Sequence, residues 1–252
     1  MRGLIFVSPF IGIQPVVRRP RELNSAARQA SGSRLAPKHE ALYSHALTDN
    51  RKPDLTMEKL SSLCVYCGSS SGRIDTYAAA ARSLAQSMVE RGIRLIFGGG
   101  RVGIMGAVAD EVMRLGGKAV GVIPEALMHK ELAHTGLTEL HVTPTMHTRK
   151  TKMAELADAF VALPGGIGTF EEIFEVWTWA QLGFHSKPCG LLNVAGYYDG
   201  LSSFLDHAAN EQFVRPDQRR MLIVESEPAA LLDRFASYVP PAQPKWVGLS
   251  KT

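Results

Sequence analysis

The 252-residue chain has only three cysteines and no apolar run near the ~20 residues that a membrane-spanning helix needs. Three cysteines cannot build a disulfide framework. They suit a reducing compartment, so a cytoplasmic location is expected. Cys64-x-x-Cys67 lacks the second ligand pair of a structural zinc site, and His129, His134 and His141 have no clustered spacing. No metal is expected. Hydrophobic residues make up 45% and charged residues 21%, which excludes wholesale disorder. The formal charge of +4, if evenly spread, would point to nucleic acid or an anionic membrane surface.

It is not evenly spread. Residues 1–56 hold nine basic and four acidic side chains, +5; the rest hold 19 and 20, −1. A core without basic excess gives no reason to expect nucleic acid or membrane as partner. The first 56 residues also lack helical or strand periodicity. Leu4 to Ile13 has the length of a signal-peptide core, but Arg18-Arg19 follows where a cleavage site should be. The arginine content fits an organelle transit peptide loosely. The reading that fits best is a disordered extension, or sequence upstream of a true start at Met57.

From Met57 to about residue 239, short apolar runs alternate with helical patterns. Strands are expected at Leu63 to Tyr66, Leu95 to Phe97, Ala119 to Ile123, Leu140 to Val142, Ala159 to Leu163, Cys189 to Leu192 and Met221 to Val224. Helices are expected at Tyr77 to Arg91, Ile104 to Leu115, Met146 to Ala157, Thr169 to Gln181, Tyr198 to Ala209 and Pro228 to Phe235. Residues 240–252 read as a tail. This alternation predicts an α/β fold, a single doubly wound, Rossmann-like parallel sheet with helices on both faces. Ligands in such folds bind beyond the carboxyl ends of the strands.

Two glycine-rich turns sit there. Gly98 to Gly106 contains G-x-G-x-x-G at Gly98, Gly100 and Gly103, between a strand and a helix. Pro164-Gly165-Gly166-Ile167-Gly168-Thr169 repeats the logic. Each is either a phosphate cradle or a tight packing turn. Glu171 and Glu172 follow in the next helix. Adjacent helical residues point about 100° apart, so one of the two looks squarely into the cleft. Arg149-Lys150 opens the preceding helix, either as a solvated basic face or as a phosphate clamp.

At these stretches the chain closely resembles the LOG family, the cytokinin riboside 5′-monophosphate phosphoribohydrolases often mislabelled lysine decarboxylases. The family's P-G-G-x-G-T-x-x-E is matched by Pro164 to Glu172, and its R-K pair by Arg149-Lys150. Further matches are Cys67 to Ser70, the Gly98–Gly106 turn, Val122-Ile123-Pro124 and Trp179 to Gly183, so the resemblance spans about Leu63 to Pro228. Thr148 departs from the Glu or Gln more usual in the family.

The resemblance implies hydrolysis of the N-glycosidic bond of a nucleoside 5′-monophosphate such as AMP, releasing free base and ribose 5-phosphate, without a cofactor. It implies Arg149 and Glu172 as catalytic residues. It implies Glu131, Lys150, Gly165, Gly166, Gly168, Thr169, Glu171 and Thr178 as substrate contacts, and Ser69, Gly99 and Gly100 as further phosphate or ribose contacts. It also implies a homodimer or larger homo-oligomer with sites near the interface. Met146, Leu127 and Trp177 are candidates for the base pocket. Two other readings stand beside it. One is a non-catalytic nucleotide-binding or sensing module on the same fold. The other, a pyridoxal-phosphate decarboxylase using Lys187, is weakened by the adjoining Pro188.

Overall fold

Strand β1, Ser62–Tyr66, is buried along its whole length, as a strand covered on both faces must be. It pairs in parallel with β2 (Arg94–Phe97) on one side and β5 (Ala159–Ala162) on the other. In this computed structural model residues 60–128 and 133–241 are described. The expectations for residues 1–56, His129 and Glu131, and nearly all of the 240–252 tail, lie outside them.

The remaining strands are β3 (Ala119–Pro124), β4 (Glu139–Thr143), β6 (Cys189–Leu192) and β7 (Leu222–Glu225). All pairs are parallel, in the order β4-β3-β2-β1-β5-β6-β7. The order reverses between β1 and β5, which marks the crevice where such sheets take ligands.

The pleat sorts each strand between two cores. Leu63, Val65, Leu95 and Phe97 join one, under α1 (Thr76–Glu90), α2 (Gly103–Arg114) and α7 (Pro228–Ala236). Cys64, Tyr66, Ile96 and Phe160 join the other, under α3 (Met146–Leu156), α4 (Ile167–Gln181) and α5 (Asp199–Asn210). The α1 core face, Ala81, Leu84, Ala85 and Met88, has helical spacing. Cys64 and Cys67 fall in opposite cores, which explains their spacing without a metal. A short α6 (Pro216–Arg220) was not anticipated; its proline at the first turn begins it, but five residues carry no amphipathic period. Among the described residues no helix is long and apolar enough to cross a membrane.

One carboxylate ties the central strands at the end opposite the crevice. Asp158 accepts from the Ser61 amide at 3.0 Å and from the Ser61 and Ser62 hydroxyls at 2.7 and 2.8 Å. Partial burial opposes its charge, but these hydrogen bonds outweigh that and hold its pKa below the usual carboxylate range. A depressed carboxylate pKa contributes stability that is present above the unfolded-state value and lost as pH falls through the folded one. Asp158→Asn is therefore expected to cost about 1–2 kcal/mol in urea unfolding at pH 7. The difference from wild type should shrink as the pH is lowered below the ordinary carboxylate range.

Candidate active site

The carboxyl ends of β1, β2 and β5 meet the amino ends of α3 and α4 around a cavity of about 320 Å³. Its charged floor comes from α3. The Thr145 hydroxyl accepts from the Thr148 amide, and the Thr148 hydroxyl accepts from the Thr145 amide, both at 3.1 Å. This reciprocal cap fixes the first helical turn. It also accounts for threonine at 148, since Glu or Gln at the same position closes the same kind of box.

The next residue, Arg149, is only 6% exposed. Its Nε donates to Val122 O at 3.0 Å and its Nη2 to Gly98 O at 3.4 Å. Its Nη1 lies 3.5 Å from Glu172 Oε1, and both side chains are nearly buried. A Cβ on Gly98 would collide with Arg149 Nη2, so glycine at this strand end leaves room for the guanidinium.

Glu172 and Glu171 divide as their helical spacing requires. Glu172 faces Arg149 inside, whereas Glu171 is half exposed and takes Lys150 Nζ at 2.6 Å. Glu175 holds the same ammonium at 3.0 Å. Burial works against the Lys150 charge, but these two hydrogen bonds outweigh it and hold its pKa above the usual value. Two cations here face three carboxylates, a sum of −1. The local positive charge expected at Arg149-Lys150 is thus already neutralised, and holding an anion here would call on other donors.

The amino end of α4 is suited to that. It carries no side-chain cap on Gly166, and the first amides of a helix have no partner within it. Gly166, Gly168 and the buried Thr169 line the cavity at this point, opposite Ser69. The G-x-G-x-x-G turn does something different. The first amides of α2, on Ile104 and Met105, donate to Gly68 O at 3.0 and 3.3 Å. Gly103, at φ +58°, sits where a side chain would strike the Ser69 backbone. This turn docks the Cys67–Ser70 loop through two of its amides.

The structure therefore gathers Arg149, Glu171, Glu172, Gly166, Gly168, Thr169 and Ser69 around one cavity, with Leu127 and Met146 on its apolar wall. Gly165 lines an adjoining pocket of about 210 Å³. Gly99 and Gly100 are buried at the end of β2 and do not line the cavity. Thr178 is exposed along α4, its hydroxyl donating to Phe174 O at 2.7 Å. Trp177 is not a pocket residue: it is 3% exposed, and its indole N–H donates to Gln218 O at 3.2 Å. Its apolar surface belongs to the core.

Sequence reading passed over Met105 and Cys67, which line the cavity inside recognised motifs. Burial pushes the Cys67 thiol far up, with the Glu172 carboxylate adding to it, so it is no nucleophile at neutral pH. Lys187 lies away from the cavity, donating to Ala154 O at 2.8 Å with its pKa lowered by burial.

The two glycine turns make a contrast that unfolding can read. Gly103→Ala meets backbone at positive φ and is expected to cost about 2 kcal/mol or more. Gly98→Ala meets the tip of the Arg149 side chain rather than backbone, so it should cost less than Gly103→Ala in urea denaturation, while displacing the guanidinium from its seat on Gly98 O.

A family model described as "Possible lysine decarboxylase" matches residues 105–235. The cytokinin riboside 5′-monophosphate phosphoribohydrolase LOG of Oryza sativa subsp. japonica is 49% identical over 71% of this chain and 74% of its own. The phosphoribohydrolase LOG2 of Arabidopsis thaliana is 47% identical over 73% of this chain and 87% of its own. Among solved structures, the molybdenum cofactor binding protein from Rippkaea orientalis superposes with a TM-score of 0.55 at 23% identity, covering 72% of this chain and 98% of that one. That likeness concerns the fold. With the paired motifs assembled around one cavity, the identities over most of the chain are decisive: the protein belongs to the LOG family of phosphoribohydrolases.

Proposed function

We propose that the protein hydrolyses the N-glycosidic bond of an adenine-type nucleoside 5′-monophosphate, AMP or its cytokinin analogue, to free base and ribose 5-phosphate. The observation that carries this is the Arg149–Glu172 pair set 3.5 Å apart beside the uncapped end of α4. An amide cradle takes the phosphate, and a carboxylate lies a short way across the same cavity.

The chemistry follows from charge. As the base leaves, C1′ becomes oxocarbenium-like. The Glu172 carboxylate stabilises that cation, orients a water and accepts its proton as the new C–O bond forms. Arginine side chains do not serve as general acids, so Arg149 acts by position and charge. Its guanidinium fixes Glu172 and counters negative charge developing on the departing base. The amides of Gly166 to Thr169 hold the phosphate. Met105, Leu127 and Met146 offer the base an apolar wall. The three buried free cysteines suit a reducing, cytoplasmic setting.

We also infer a homodimer or larger assembly. Ile167 is 80% exposed at the mouth of the cavity, and Thr178 lies outside the cavity of its own chain. A second copy covering α4 would bury the one and bring the other to a neighbouring site. Analytical ultracentrifugation should give a dimer or more; a monomer at micromolar concentration would remove this reading.

The activity test uses the purified chain with AMP and with isopentenyladenosine monophosphate, following free base by chromatography. Base release is expected. Glu172→Gln should lower kcat by about 10²–10⁴-fold while still binding nucleotide. Tight binding of both nucleotides without base release would move the protein to the non-catalytic, sensing reading.

A further inference from the structure

The Pro164–Thr169 turn is held from behind by the Cys67–Ser70 loop and by two tyrosines outside any of the recognised motifs. Three consecutive carbonyls leading into it are each engaged. Leu163 O accepts from the Tyr198 hydroxyl at 2.7 Å, Pro164 O from the Gly68 amide at 3.1 Å, and Gly165 O from the Tyr197 hydroxyl at 2.5 Å. A trans peptide is planar, so its carbonyl and the following N–H point opposite ways. Fixing Gly165 O therefore fixes the Gly166 N–H, the first amide of the cradle.

The two tyrosines come from one rigid turn after β6. Asn193 Oδ1 accepts from the Tyr198 amide, and Asn193 Nδ2 donates to Asp199 Oδ1, both at 2.7 Å. Ala195 holds φ +50° within it, a conformation non-glycine residues rarely adopt. The rings are braced edge to face: Tyr197 on Tyr198 at 4.9 Å and on Tyr77 at 5.7 Å. Tyr198 is 1% exposed, and Tyr197 lines the adjoining pocket behind Gly165 and Gly166.

We propose that Tyr197 and Tyr198 are positioning residues for phosphate binding: Tyr197 sets the amide direction of the cradle through the Gly165 carbonyl, and Tyr198, bonded to Leu163 O and packed on the Tyr197 ring, holds the strand end from which the turn starts. The proposal rests on reading Gly166 to Thr169 as the phosphate site. A tyrosine that merely fills space would affect folding and every ligand alike. A positioning tyrosine affects the phosphate end selectively.

Tyr197→Phe keeps the ring contacts and removes the donor. KM for AMP and the inhibition constant of inorganic phosphate are expected to rise about three- to tenfold, the size of one lost hydrogen bond. Inhibition by free adenine, kcat and the melting temperature should stay near wild type. Tyr198→Phe should shift the same two constants, with some loss of stability because it is buried. Unchanged phosphate inhibition in both variants, or equal weakening of adenine and phosphate, overturns the proposal. Calorimetry with inorganic phosphate separates the two levels. If the wild-type chain binds none, the cradle reading fails. If it binds and Tyr197→Phe binds as tightly, only the role of the tyrosines fails.

Discussion

The site depends on how a nearly buried guanidinium is seated. A buried cation is stable only with partners around it, and Arg149 has them: Val122 O near the end of β3, Gly98 O just past β2, and the Glu172 carboxylate on α4. Each partner constrains something else. The strand ends must stop with free carbonyls, residue 98 must lack a side chain, and α3 must begin where the Thr145–Thr148 cap starts it. The same seat makes Arg149 a fixed reference for Glu172. The carboxylate and the cradle proposed for catalysis and phosphate binding then share one frame, the kind of fixed orientation from which a hydrolase gains.

The division of labour between the two glycine turns follows from where their amides go. Two of those at the start of α2, on Ile104 and Met105, are taken by Gly68 O, and this docks the loop after β1. That loop in turn donates Gly68 N–H to Pro164 O and so supports the turn before α4. One glycine turn thus serves the other. The positive charge that matters is not a loose basic pair. Lys150 is held between Glu171 and Glu175, and the proposed phosphate site relies instead on backbone dipoles at the amino end of α4.

Much of this was legible in the chain. Parallel strands buried on both faces read as unbroken apolar runs, so Leu63 to Tyr66 and Ala159 to Leu163 were placed to within a residue. The cavity-lining turn was legible because P-G-G-x-G-T carries its acid and its arginine at set distances. What stayed hidden depends on tertiary partners. Nothing in G-x-G-x-x-G tells that a distant carbonyl occupies its amides. Trp177 looks like a pocket aromatic until its N–H is found on Gln218 O. The ion pairs of Lys150 do not show in the sequence because its two carboxylates lie on another helix, and Tyr198 reads as a plain helix start because the carbonyl it meets is remote in sequence.

The central claim is that one cavity binds the phosphate by backbone amides and acts on C1′ with a carboxylate. Comparing base release from AMP and from adenosine tests it most directly, since the two differ only in the group the cradle would hold. The account predicts that adenosine is poorer in kcat/KM by about 10²–10⁴-fold, the worth of two or three charge-assisted hydrogen bonds. Equal rates for the two, or base release from neither, would contradict it.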